Sequence, residues 1–253
     1  MLRRNILGFF ILVLLGSCAS RKDYVYVQDI DTVKINAVTY QSTLQPDDLL
    51  TIIVRGDNPE AVVPFNMPNI AFMGNREDGL EVQRLFTYLI DSNNTINFPV
   101  IGKIKLGGLT RFEAEKLLEN EVSKYVTLPK IDLRILNYKI TVQGEVNKPG
   151  TYPINSERIT LIEALSLAGD LTIYGKRNNV LLIREENGAK KVVRLDLTTS
   201  EFINSPYYYL RQNDVIYVEP NKTKINAAAV GPNTGIILSA ISLLVTVLAL
   251  TIR

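Results

Sequence analysis

Histidine is absent from the 253 residues, and there is a single cysteine, Cys18. Without histidine the chain lacks the usual general base near neutral pH and the commonest metal ligand, so triad chemistry built on His is excluded. One cysteine excludes intrachain disulfides and thiolate metal clusters. An excess of charge is missing too: 28 basic side chains stand against 26 acidic ones. Arg3 and Arg4 lie in a segment expected to be removed, which leaves 28 − 2 = 26 basic against 26 acidic. A balanced surface gives no electrostatic reason to expect nucleic acid as a partner. No glycine-rich phosphate loop of the required spacing occurs, and no two carboxylates flank an evident cleft motif. No catalytic residue, cofactor or metal ligand is therefore expected. What the chain does have is 46% hydrophobic residues, enough for the cores of one or two domains.

Both ends are apolar. The N-terminus places Arg3 and Arg4 before an unbroken apolar run from Ile6 to Leu15, followed by Gly16-Ser17-Cys18-Ala19-Ser20. A basic start, a short apolar stretch and small residues make a signal peptide, and the run is well short of the roughly 20 residues a spanning helix needs. Leu15-Gly16-Ser17-Cys18 resembles a lipobox, where bacterial lipoproteins are lipidated and cleaved. Residues 1–17 are then the signal peptide, and Cys18 is the first mature residue, bearing lipid that includes palmitate. An ordinary signal peptide with an incidental cysteine is the alternative. Tyr24 to Tyr40 is polar and weakly patterned, so 18–40 is expected to be a tether.

The C-terminal stretch from Gly235 to Ile252 has no charge and about the length of a bilayer span, and a transmembrane helix is expected over 235–252 after a linker at 220–234. Pro232 and Thr234 are start signals for it. Gly235, Ser239, Ser242, Thr246 and Ala249 recur at spacings of 4, 3, 4 and 3, placing small residues on one face suited to close helix packing. A buried C-terminal helix of a soluble domain is the alternative.

Between the ends lie two β-rich units. In the first, Pro46-Asp47-Asp48 is turn chemistry and Leu49 to Val54 a buried strand. Adjacent carboxylates on extended backbone point to opposite faces, so Asp47 and Asp48 read as turn residues rather than an acid/base pair. Two strands joined by a turn at Asn93-Asn94 are expected to form a hairpin. Thr110-Arg-Phe-Glu113 has capping-box spacing for a helix carrying Phe112, Leu117, Leu118 and Val122, and Ile131, Leu133 and Ile135 alternate in a half-buried strand. In the second unit, Ile140 to Val146 is a strand, Asn147 to Gly150 a turn, and Thr151 to Ile154 a further strand segment. Thr160-Leu-Ile-Glu163 caps a helix from Leu161 to Ala168 that Gly169 can stop. Val180–Ile183 and Val192–Leu195 flank Glu186-Asn187-Gly188 as a hairpin, and Asn213-Asp214 before Val215 restates the Asp47-Asp48 turn. Tyr207, Tyr208 and Tyr209 read as strand packing, with stacking on sugar rings as the functional alternative. Short strands with one compact helix per unit describe an α+β fold with mixed sheets.

Taken in order, these residues resemble the polysaccharide export outer-membrane lipoprotein family of the Wza type. The resemblance runs from about Leu44 to Val218. It is carried by Leu44-Gln-Pro-Asp-Asp-Leu-Leu-Thr-Ile-Ile-Val54, Ile96-Asn-Phe-Pro-Val-Ile-Gly102 and Gly108 to Glu113 in an export domain (41–137). Val142-Gln-Gly-Glu-Val-Asn-Lys-Pro-Gly-Thr-Tyr152 and Leu161 to Asp170 carry it in a soluble-ligand-binding β-grasp (SLBB) domain (138–219). The family implies a homo-oligomeric ring that conducts capsular polysaccharide or exopolysaccharide to the cell surface. It also implies a lipid-anchored, mostly periplasmic position at the outer membrane. An inner-membrane chain-length regulator or tyrosine kinase is the implied partner, with the polymer and membrane lipid. A monomeric anchored lipoprotein that binds a soluble ligand through its β-grasp unit is the alternative.

Overall fold

A computed structural model of the chain describes residues 21–32, 42–66, 86–186, 188–229 and 234–251. Two sheet-and-helix units follow one another in sequence, each around its own apolar core, giving the mixed α+β organisation expected.

In the first unit β1 (Leu49–Arg55) is the central strand of an antiparallel sheet, flanked by β2 (Thr87–Leu89) and β5 (Lys130–Ile135). Its Leu-Leu-Thr-Ile-Ile-Val run is buried almost throughout, as a strand covered on both faces requires. A single-turn helix α1 (Pro59–Val62) follows, capped by the Asn58 side chain. Asn66 then bonds both the N–H and the carbonyl of Val54, standing in for a ladder partner where β1 ends. Helix α2 (Arg111–Val122) buries Ala114, Leu118 and Val122 and packs on β5.

The hairpin lies elsewhere than at Asn93-Asn94. Strands β3 (Thr95–Phe98) and β4 (Gly102–Lys105) pair around Pro99-Val100-Ile101, with Val100 and Gly102 both at positive φ. The Asn93-Asn94 turn exists, organised by the Asp91 carboxylate accepting from the N–H groups of Asn93 and Thr95. It connects β2 to β3 across two sheets. β2 is drawn away because its backbone completes the edge of the buried β1, where Ile90 N–H also donates to Asp48 O.

The second unit contains β6 (Lys139–Gly144), β7 (Gly150–Pro153), helix α3 (Leu161–Leu167), β8 (Gly175–Glu186), β9 (Ala189–Leu195) and β10 (Val215–Pro220). Its sheet order is β7-β6-β10-β8-β9, with β10 parallel to β6 and every other pair antiparallel. The parallel pair demands a long crossover, which α3, β8 and β9 supply. Gly144 ends β6 at φ +89, and a Cβ there would lie 2.1 Å from the Val218 carbonyl oxygen, so only glycine fits beside β10.

Both helices start as their sequences dictate. Thr110 and Thr160 each accept from the N–H three residues on, and Glu113 and Glu163 reach back to the capping N–H. Helix α3 ends with Gly169 at φ +73 and Asp170 N–H bonded to Leu165 O, a left-handed stop. Phe112 departs from the apolar stripe expected of α2, since it occupies the first turn and is 65% exposed.

Asn137 stitches the units together. Its side chain accepts from Leu49 N–H and donates to Asp47 O, while its carbonyl accepts from the Gln212 amide. Ile135 packs against both cores. Residues 21–32, expected within a tether, lie instead on the second unit. Val27 and Gln28 donate to Leu197 O and Thr198 O, and Asp29 accepts from Ser200 N–H.

After β10 the chain forms α4 (Lys222–Ala229) and α5 (Thr234–Thr251). α5 is uncharged along its 18 residues. At about 1.5 Å per residue it rises roughly 27 Å, somewhat short of the roughly 30 Å of a bilayer core. Among the described residues no helix is long and apolar enough to cross a membrane. The transmembrane span expected over 235–252 is thus not established, and Ile252 lies outside the described residues.

Candidate functional site

Three places gather groups able to do something: the face of α5, the cleft between the units, and the end of the second unit where both chain termini leave it.

On α5, Ser239, Ser242 and Thr246 share one face with Leu243. The Ser239 hydroxyl donates to Gly235 O and the Thr246 hydroxyl to Ser242 O, each at 2.8 Å, so these polar groups are satisfied within the helix. That leaves them free to enter an apolar environment at little cost. Gly235 opens the face with free space where a Cβ would stand. Ala249 belongs to the same helix, but its side chain, like the whole of Cys18, falls outside the described residues. Ile236, Leu243, Leu244 and Val245 are each more than half exposed.

The cleft between the units encloses about 750 Å³. Arg111 and Phe112 at the start of α2, Arg134 on β5, and Asn155, Glu157 and Arg158 from the loop before α3 line it. Arg111 pairs with Glu115 at 2.7 Å and with Glu157 at 3.0 Å, closing an ion pair from one unit to the other. Arg134 pairs with Asp132, and the Arg158 guanidinium stacks 5.4 Å over the ring of Tyr209. Guanidinium, amide and an exposed ring suit contact with polar polymers or with another protein. Among the described residues no group of three metal-ligating side chains occurs.

Tyr207, Tyr208 and Tyr209 do not form a strand. They precede β10 in a turn and a bridge, half-buried, with Tyr208 against Phe202 and Tyr207 beneath the Arg184 and Lys191 side chains. Their backbone carbonyls explain the irregularity: Leu161 N–H donates to Tyr208 O, and the Arg184 guanidinium to Tyr209 O.

The turns at Asp47-Asp48 and Asn213-Asp214 are structural counterparts. Asp47 and Asn213 both have positive φ, and Asp48 and Asp214 each accept the N–H three residues upstream, from Gln45 and Arg211. Asp214 also meets Arg184 at 2.6 Å with both side chains buried. Asp48 is 1% exposed with one carboxylate oxygen unpartnered, and burial pushes its pKa up to about 6 against the Gln45 N–H, which lowers it.

At the far end of the second unit, the Tyr26 hydroxyl donates to Asp170 at 2.5 Å, and burial with this carboxylate pushes its pKa well above the usual phenol range. Arg177 lies 5.4 Å from the Tyr26 ring and 5.8 Å from that of Tyr24. Neither Arg184 nor Arg177 stands out as a site residue in the sequence. The available signal for Arg184 is its alternation with Val180 and Leu182, which marks an inward charge. Tyr24-Val-Tyr26-Val27 is a run of apolar and aromatic residues inside the expected tether, a signal for burial.

Residues 36–136 match the family described as polysaccharide biosynthesis/export protein, and residues 138–218 match the SLBB domain. Among curated proteins, the chain is 29% identical over 213 residues to the EPS I polysaccharide export outer membrane protein EpsA of Ralstonia solanacearum. That alignment covers 81% of this chain and 55% of the relative. The protein of the same name from Ralstonia nicotianae is 27% identical with the same coverage. The chain thus spans about half the length of the curated relatives it matches.

Proposed function

We propose that this chain, whose residues 36–136 match the polysaccharide biosynthesis/export family and whose residues 138–218 match the SLBB domain, exports an exopolysaccharide or capsular polymer at the outer membrane. Its role there is that of a subunit in an oligomeric translocon, with no catalysis of its own. The carrying observation is the adjacency of the two matched units, which together hold every sheet among the described residues. The working modules in this reading are 41–137 and 138–219. The names of the relatives, which combine polysaccharide export with outer membrane, support the same reading.

In this reading Cys18 carries the lipid, after removal of residues 1–17, and α5 is a second attachment. Burial of a large apolar side chain is worth about 1.5–3 kcal/mol, so an α5 with Ile236, Leu243, Leu244 and Val245 facing water is untenable without a cover. Lipid covers the large residues, and the Gly235, Ser239, Ser242, Thr246 and Ala249 face meets the same helix in the next copy of a homo-oligomeric ring. The polymer and an inner-membrane chain-length regulator or tyrosine kinase complete the set of partners.

Deleting the gene and measuring cell-surface polysaccharide tests the proposal. Loss of surface polymer is expected, restored by the intact gene and not by a Cys18→Ala copy. Normal surface polymer in the deletion strain contradicts it. The open cleft between the units favours a second reading, a monomeric lipoprotein holding a soluble ligand. Monomeric extracts together with unchanged surface polymer would select it.

A further inference from the structure

We infer that one rim of the SLBB domain lies against the headgroups of an anionic phospholipid leaflet, with Ile173 and Tyr174 seated in it; this rests on the proposed membrane attachment. The loop between α3 and β8 carries Ile173, 64% exposed, and Tyr174, 39% exposed. A large apolar side chain so exposed on a loose loop would need no explanation, but this loop is held. The Arg177 guanidinium donates to the carbonyls of Thr172 and Gly175, Gly175 N–H donates to Thr172 O, and the Thr172 hydroxyl donates to Glu145 at 2.6 Å. The structure thus presents Ile173 outward on a braced support.

Both chain ends leave beside this loop. On one side Arg177 sits against the rings of Tyr24 and Tyr26, which places the turn Arg21–Asp23 next to the start of β8. Cys18 precedes Arg21 by three residues, so its α-carbon is at most about 11 Å away. On the other side Asn221 N–H donates to Tyr174 O, and Lys224 lies 5.2 Å over the Tyr174 ring, at the start of α4 that leads to α5. An acyl-bearing residue, and the helix α4 that leads on to α5, departing from the same rim bring that rim to the bilayer surface.

Its chemistry fits. Arg21, Lys22 and Lys222 make no ion pair among the described residues, and Lys224 is 3.8 Å from Glu145. The acidic groups nearby are largely engaged: Glu145 holds Thr172, and Glu219 holds Lys176 and Arg194. Asp23 is exposed, with no cation partner among the described residues. Tyrosine and isoleucine beside basic side chains is the composition that settles at an anionic membrane interface. Phe112, equally exposed, lies in the export domain at the cleft.

The chain contains no tryptophan, so one substitution makes a unique reporter. Full-length lipidated protein carrying Ile173→Trp is added to vesicles of phosphatidylethanolamine and phosphatidylglycerol, with and without brominated acyl chains, beside a Phe112→Trp version. The expected result is a blue-shifted emission from the Ile173→Trp protein, quenched at least twofold by bromolipid, while the Phe112→Trp protein is unaffected. Vesicle-bound Ile173→Trp protein whose emission is unquenched overturns the inference and leaves the anchoring intact, and a blue shift without quenching, from cover by another copy, does the same. Equal quenching of both variants also overturns it. Failure to co-sediment with vesicles removes the membrane reading itself.

Discussion

Asp48 and Asp214 fill equivalent turns, yet only Asp214 has an arginine across from it. With its pKa pushed up to about 6 from an ordinary 3.8, Asp48 favours the folded state most where it is protonated in both states, below about pH 4. As pH rises through 4 to 6 the unfolded chain ionises more readily, and roughly 3 kcal/mol of stability is lost. Replacing Asp48 by Asn keeps an acceptor for Gln45 N–H and should flatten that loss, read as thermal unfolding of the two proteins between about pH 4.5 and 7.5. An unaltered pH slope in the Asn variant would show that Asp48 does not set it. The buried Arg184–Asp214 pair sets the opposite case. Arg184→Met leaves a buried carboxylate without its cation and should cost about 3–5 kcal/mol in denaturant unfolding, whereas the double change Arg184→Met with Asp214→Leu should recover most of it.

At the scale of elements, what the sequence made readable was local. Both capping boxes, the Gly169 stop and the β8–β9 hairpin depend on residues within a turn of one another, and each formed as its spacing implied. The partner of β2 was not readable, because the choice between pairing with β3 and completing β1 is decided by a strand far upstream in the chain. Residues 21–32 were illegible for the same reason: their partners, Asp170, Arg177, Leu197 and Thr198, come from far along the chain. Of the candidate site, the α5 face was legible as a period, while the cleft, made by two units meeting, was not. The strap formed by residues 21–32 gives a direct expectation. Arg177→Leu should release it, raising amide exchange of Val27 and Gln28 at least tenfold while the β6–β10 ladder stays protected. Unchanged exchange at those two amides would mean that the rings of Tyr24 and Tyr26 do not depend on Arg177.

For the whole molecule, two modest cores joined through Asn137 leave three surfaces without a complement among the described residues: the exposed faces of α5, the cleft, and the rim around Ile173. Among the described residues α5 is left uncovered, and in the proposed translocon side-by-side copies in a membrane would cover it. Closed assemblies of identical chains are built from one interface repeated around an axis, so a ring follows if the α5 faces meet head to tail. The most direct measurement is the native mass of the full-length protein extracted from outer membranes in mild detergent. A closed particle of several copies is expected to survive extraction intact, and to fall apart when Gly235, Ser239 and Ser242 on α5 are replaced by leucine. A monomer recovered from the native membrane, lipidated and stable, would contradict it.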